Sequence, residues 1–196
     1  MNYEVFSALM LFAFVTSITP GPNNIMLMSS GANFGFKQTI PHALGVGLGF
    51  TFMIMLVGFG IIQLFDVFPA SYQILKVVSV VYLLYLALKI AMSGQSSQKT
   101  TNKTKPLTFI QAALFQWVNP KAWTMALTAI SIYAPSKSIT AIVIVSLVFG
   151  AVNLPCISSW VVLGKKMQVL LTDAKRNRIF NVTMAILLIG SLYPTL

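Results

Sequence analysis

Thr19-Pro20-Gly21-Pro22-Asn23-Asn24 interrupts what would otherwise be one long apolar run. Val5 to Ile18 is almost uninterruptedly apolar, and Ile25 to Phe36 is mostly so. Together the flanks are long enough to cross a bilayer, yet the middle cannot be regular helix. Pro20 and Pro22 lack an amide N–H and clash with the preceding turn, and Gly21 is the weakest helix former after proline. Unpaired backbone in hydrocarbon costs several kcal/mol per group, so such a break persists only where protein or a water-filled cavity satisfies it. Broken membrane helices build substrate sites in this way, because a half-helix N-terminus offers free N–H groups and a positive dipole end. Asn23 and Asn24 suit the cap of the second half-helix. A kinked packing helix is the plainer alternative.

Working outward, 57% of the 196 residues are hydrophobic and only 8% charged, where a soluble domain carries about 25% charged residues. The chain therefore reads as an integral membrane protein. Its apolar runs are continuous and not alternating, which indicates helices and excludes a β-barrel. The formal charge is +10, from thirteen Lys and Arg against three acids. Most of these cations fall between apolar runs, so they indicate membrane orientation and not nucleic acid. Cys156 is the single cysteine, which leaves no disulfide framework and no cysteine metal site; no metal or cofactor is expected. The N-terminus lacks the basic region of a secretory signal and carries only Glu4 early on, so the first run is expected to be retained as a span.

Six helices follow from the apolar runs: Val5–Phe34 (broken), Ala43–Leu64, Tyr72–Met92, Leu107–Tyr133, Ile139–Leu163 and Ile179–Leu196. Linker 65–71 is brief and holds Asp66 and Pro69. Linker 93–106 is polar and rich in Gly, Ser and Thr, the one segment that looks disordered. Linker 134–138 reads as a tight turn at Pro135, and linker 164–178 holds Lys165, Lys166, Lys175, Arg176 and Arg178. Ten basic residues flank the odd-numbered linkers, among them Lys37, Lys89, Lys99, Lys103 and Lys105, against Lys76 and Lys137 at the even ones. That asymmetry places the odd linkers in the cytoplasm and both termini outside.

The polar linker divides the spans into two sets of three, repeat one at 1–92 and repeat two at 107–196, within a single transmembrane transporter domain. An odd number of spans per half forces the halves into opposite orientations, the inverted-repeat plan of many transporters. Such a plan requires a break in the fourth span to match the first. Gln116-Trp117-Val118-Asn119-Pro120-Lys121 supplies it, with an Asn-Pro and a charge inside the apolar run. Breaks in corresponding helices of two halves are the best pointer in a sequence to a midplane site. The fold class expected is thus all-α and polytopic: six transmembrane helices in two inverted three-helix repeats, with the first and fourth helices broken.

Candidate site residues are Pro20, Gly21, Pro22, Asn23, Asn24, Gln116, Asn119, Pro120, Lys121 and Asn153. Asn153, in Asn153-Leu154-Pro155, either hydrogen-bonds a freed carbonyl or lines the cavity. Lys121 lies about 14 residues into the fourth run. A cation near the bilayer centre costs at least about 2.5 kcal/mol, so it needs a partner. Snorkelling works best near a helix end. With no acid in a predicted span, the candidates are freed carbonyls, the amides of Asn23 or Asn119, and the carboxylate of a substrate; the expectation favours the last two. Lys121 is also the candidate to carry a proton. Gly45, Gly47 and Gly49 give a Gly-xxx-Gly face for close helix packing, within the chain by default or in a homodimer. His42 is expected at the cytoplasmic mouth of the second span, solvated at the interface. Trp117, Trp123 and Trp160 do not gather at one interface.

These residues carry a resemblance. The chain resembles the lysine exporter superfamily of bacterial amino-acid exporters, in its homoserine/threonine (RhtB-type) branch, through TPGPNN at 19–24, LGVGLGF at 44–50 and NPK at 119–121. From Thr19 to Phe50 it looks most like the cysteine/O-acetylserine exporter subgroup, through PGPNN, MSSGANFGFKQ and LGVGLGF. The resemblance implies efflux of small neutral amino acids from the cytoplasm across the bacterial inner membrane, driven by the proton gradient. Many relatives place an acidic residue in the second span, where this chain runs Gly49-Phe50-Thr51. No intramembrane carboxylate therefore carries over as a proton carrier.

The expected partners are a small amino-acid substrate and the lipid bilayer, with no nucleic acid. A membrane enzyme would need a nucleophile with a base, paired aspartates or metal ligands, and the spans offer none. A channel, the remaining alternative, would call for rings of like charge or carbonyl filters, and Lys121 alone is similar. A purely structural subunit would leave two matched, destabilising breaks unexplained.

Overall fold

The computed structural model describes residues 3–61, 63, 67–68, 70–93, 105–134, 136 and 138–191, apart from the side chain of Tyr72. Phe65, Asp66 and Pro69 of linker 65–71, most of linker 93–106, the turn residues Pro135 and Lys137, and the last five residues lie outside the described set. Every regular element among the described residues is helical. The order is α1 (Tyr3–Ile18), α2 (Pro22–Phe34), α3 (Phe36–Gly58), α4 (Ala70–Ala91), α5 (Phe109–Phe115), a 3-10 turn (Gln116–Val118), α6 (Pro120–Tyr133), α7 (Ile139–Gln168) and α8 (Ala174–Gly190).

Both breaks occur where the prolines predict. α1 stops at Ile18, Gly21 is extended, and Pro22 opens α2 as its first helical residue, where a missing N–H is harmless. The two halves meet at 54°. In the second break α5 tightens into the 3-10 turn, Asn119 is extended, and Pro120 opens α6.

Three described helices are long and apolar enough to cross a membrane: α3, α4 from Gln73, and α7. The bent pair α1–α2 counts together as a fourth. α6 and α8 fall short on their own, at 14 and 17 residues.

Several boundaries shift from expectation. α3 begins at Phe36 and not at Ala43, because Gly35 alone makes the turn from α2, with φ +81°, a left-handed conformation that glycine adopts without a Cβ clash. Thr39 Oγ1 donates to Gly35 O at 2.8 Å and shares a hydrogen bond with Ser30 at 2.9 Å, fixing the corner. Linker 164–178 contracts to 169–173. Lys165 and Lys166 continue α7, since cations suit the C-terminal end of a helix. Asp173 accepts from Lys175 N at 3.2 Å and caps α8. α7 runs unbroken through Pro155, so that irregularity does not interrupt the helix.

The core is in two parts, and each broken pair contributes one half to each part. One cluster joins Ile25 and Leu27 of α2 with Leu83 of α4, Phe115 of α5, Val161 of α7 and Leu188 of α8. The other joins Leu9 and Ala13 of α1 with Met53 of α3, Ala126 of α6 and Phe149 of α7. The breaks therefore lie at the seam between the clusters. α3 and α7 run through both and hold them together.

Small residues let these helices approach. A Cβ on Gly49 would lie 2.6 Å from Ala113 Cα, so the Gly45/Gly49 face is filled within the chain by α5. α2 and α7 meet through Gly31 and Gly164 in the same way.

Residues beside the odd-numbered linkers meet at one end. Asn33 of α2 and Asn181 of α8 pair through both amides, at 2.7 and 3.1 Å, and Asn181 also donates to Ser93 O at 2.6 Å. Tyr133 OH donates to Ala8 O at 3.3 Å, tying α6 to α1 toward the other end.

Candidate functional site between the two breaks

The seam holds a cavity of about 20 Å³, room for about one water. Its lining includes Gly21, Asn23, Asn24, Asn119, Lys121 and Asn153, six of the residues singled out from the sequence and drawn from the two breaks, α2, α6 and α7. Pro20, Pro22 and Pro120 shape the backbone around the cavity without lining it. Gln116 is fully buried one bond behind it. Thus both half-helix N-termini, those of α2 and α6, open onto one space.

Lys121 Nζ donates to Thr19 O at 2.6 Å and reaches Pro20 O at 3.5 Å. In this conformation the cation thus takes the freed carbonyls of the first break, and the amides of Asn23 and Asn119 do not receive it. The reason is local. Asn119 Oδ1 is committed to Lys121's own backbone N–H at 3.2 Å, as the cap of α6. Asn23 is committed to Gln116 by a reciprocal amide pair: Asn23 Nδ2 donates to Oε1 at 2.8 Å, and Gln116 Nε2 donates back to Oδ1 at 3.1 Å.

Neither asparagine caps α2, whose N-cap is Gly21 with no side-chain hydrogen bond. Asn24 faces backward and donates to Ser17 O at 2.8 Å and Thr19 O at 2.9 Å, closing the frayed end of α1. Trp160 Nε1 adds a donor to Ile18 O at 3.2 Å. Helix C-termini leave carbonyls that need such donors, and here they come from α2, α6 and α7.

Two polar groups at the cavity lack partners. Ser17 Oγ is buried without a hydrogen bond, and the buried Asn153 side chain has none among the described residues. Asn153 therefore lines the cavity and leaves the freed carbonyls to others. Phe50, Met125 and Ile157 form the apolar wall. Ser17 was legible as a hydroxyl just ahead of the break; Phe50, Ile157 and Trp160 carried no signal, since only packing brings them here. Among the described residues no acid lines the cavity, and Lys121 is the one charged residue that does. Among the described residues no three His, Cys, Asp or Glu side chains come together as metal ligands.

A protein-family model described as LysE type translocator matches residues 14–191, a stretch that includes both breaks and α7. The chain belongs to the LysE family. It is 28% identical over 191 residues to the cysteine/O-acetylserine efflux protein of Escherichia coli strain K12, covering 96% of each chain. The protein of the same name from Escherichia coli O157:H7 is 30% identical, again over 96% of each chain. No solved structure matches the chain. LysE members are translocators and not enzymes.

Proposed function

We propose that the protein exports small neutral amino acids, of the cysteine/O-acetylserine or homoserine/threonine type, from the cytoplasm across the inner membrane by proton antiport. The observation that carries this reading is the meeting of both breaks at Lys121. An ammonium beside two helix N-termini suits a carboxylate, while Ser17 and Asn153 have free hydrogen-bonding capacity for the polar remainder of a zwitterion. Cargo does not fit in a space for one water, so the breaks must part for it to enter. The carboxylate would then replace the Thr19 and Pro20 carbonyls on Lys121, exchanging a contact that locks the two halves for one that holds cargo. Lys121 is the residue assigned to proton exchange.

The architecture we infer is one transporter domain of two inverted three-span repeats, 1–92 and 107–196, with α5 and α6 as the broken counterpart of α1 and α2. Residues 109–133 would extend about 37 Å as helix, enough for the hydrocarbon core of about 30 Å. The gathering of Lys89, Lys105 and the basic ends of α7 and α8 at one end supports a cytoplasmic assignment for the odd linkers. Both termini then lie outside. Reporter fusions within 93–106 and 164–178 should read cytoplasmic and a fusion after Leu196 external; a cytoplasmic C-terminus would undo the repeat.

The decisive functional measurement is uptake of a labelled amino-acid panel by inverted membrane vesicles. Accumulation that collapses with an uncoupler is the expected result. Passive flux insensitive to the uncoupler would make the protein a channel and overturn the exporter reading.

A further inference from the structure

A second cavity, of about 40 Å³, lies at the basic end, between α2, α3, α4 and the segment leading into α5. His42 lines it. The sequence reading expects this histidine solvated at the interface, yet it is only 2% exposed, because α3 starts early enough to carry position 42 into the bundle. Neither Nδ1 nor Nε2 has a hydrogen-bond partner among the described residues. A neutral imidazole carries one N–H donor and one acceptor, and leaving both buried and unmet is rare in native structures.

The neighbours indicate what meets it. Ser30 is engaged with Thr39, and Ser93 Oγ donates to Lys89 O at 2.8 Å, so neither is waiting for the ring. Among the described residues the charged ones lining the cavity are Lys89 and Lys105, and no acid lines it. A buried N–H donor in a space also lined by two cations favours an anion.

We propose that this cavity is a second binding site, for the carboxylate of a small organic acid or amino acid arriving from the basic end, with His42 as hydrogen-bond donor and Lys89 and Lys105 as counter-charges. Ser29 and Ser30 of α2 line the same space, so its occupant touches the half-helix whose other end borders the first break. The proposal does not depend on export.

The chain has one histidine, which makes the test direct. Full-length protein labelled with 15N-histidine, purified in nanodiscs without a histidine tag, gives ring nitrogen signals from His42 alone. Titration with sodium acetate against sodium chloride at constant ionic strength should shift both ring signals saturably. Lys89→Gln should weaken that response by about tenfold, as expected for loss of a charge-assisted hydrogen bond. Lys89 is half-buried near the end of α4, so its replacement is compatible with folding. Repeating the titration with cysteine distinguishes the sources. A saturable shift with cysteine marks a docking site for cargo, and a shift with acetate alone marks a site for a separate acid. Ring signals unmoved by both ligands, or a shift indifferent to Lys89→Gln, would overturn the proposal. Loss of export in vesicles would leave this result untouched, so the two readings fail separately.

Discussion

In the second break the side chains that meet backbone groups are local, although Gln116 also pairs with Asn23. Asn119 caps α6 through the N–H two residues on, Gln116 Nε2 donates to Ala112 O four residues back at 2.9 Å, and Trp123 Nε1 donates to Trp117 O at 2.9 Å. In the first break the partners are mostly remote. α2 begins with no side-chain cap, and the carbonyls left by α1 are taken by Asn24, by Trp160 from α7 and by Lys121 from α6. One break is therefore stable as local structure, while the other exists as drawn only when the bundle is closed around it. On the proposed export reading, that asymmetry makes the first break the part expected to rearrange when cargo arrives, with the second as its fixed counterpart.

Lys121→Met should break the comparison most severely, because it removes the remote partner of the first break and the single charge of the cavity. Export of a labelled amino acid from overproducing cells should fall to background, while membrane yield stays near wild type. Lys121→Arg should keep the yield but rescue export poorly, since a planar fork does not replace a point charge. Normal export by Lys121→Met would remove the residue from both carboxylate binding and proton exchange.

The prolines sharpen the contrast next. Replacing Pro20 and Pro22 together with alanine should straighten α1 into α2 and abolish most export with insertion intact. Pro120→Ala should be nearly silent in transport, at about 0.4–1 kcal/mol in stability, because Asn119 still caps α6. Equal transport losses from the two changes would mean that both breaks are held in the same way.

Smaller effects separate the asparagines. Asn119→Ala should cost about 0.5–2 kcal/mol, the worth of an N-cap, read as a lower midpoint in thermal unfolding of the purified protein. Asn24→Ala should cost a similar amount but depress export more, since it loosens the carbonyl end on which Lys121 rests. The smallest effect expected is the coupling between Asn23 and Gln116. A double-mutant cycle with leucine at both positions should give about 0.6 kcal/mol, the average for hydrogen bonds between membrane helices. A coupling of zero would mean that water replaces the pair at no cost.

What the sequence determined alone was what depends on covalent geometry and near neighbours. Proline and glycine forbid helix wherever they cluster, so both breaks and their prolines at the first helical position were legible. Continuous apolar runs demand burial or lipid, so the all-helical, membrane-embedded character was legible too, along with the basic end. Tertiary structure decided which donor meets which acceptor. Asn23 and Asn24 look like caps by residue type, yet one pairs with Gln116, 93 residues away, and the other turns back onto α1. Lys121 was recognisable as a buried cation, but its carbonyl partners lie 101 and 102 residues upstream. His42 passed from expected interface residue to buried, unpartnered ring because Gly35 lets α3 start early. Preferences of single residues act over a turn or two of helix, whereas the pairing of polar groups inside a membrane protein is settled by whichever helices the packing of glycines and apolar faces brings together.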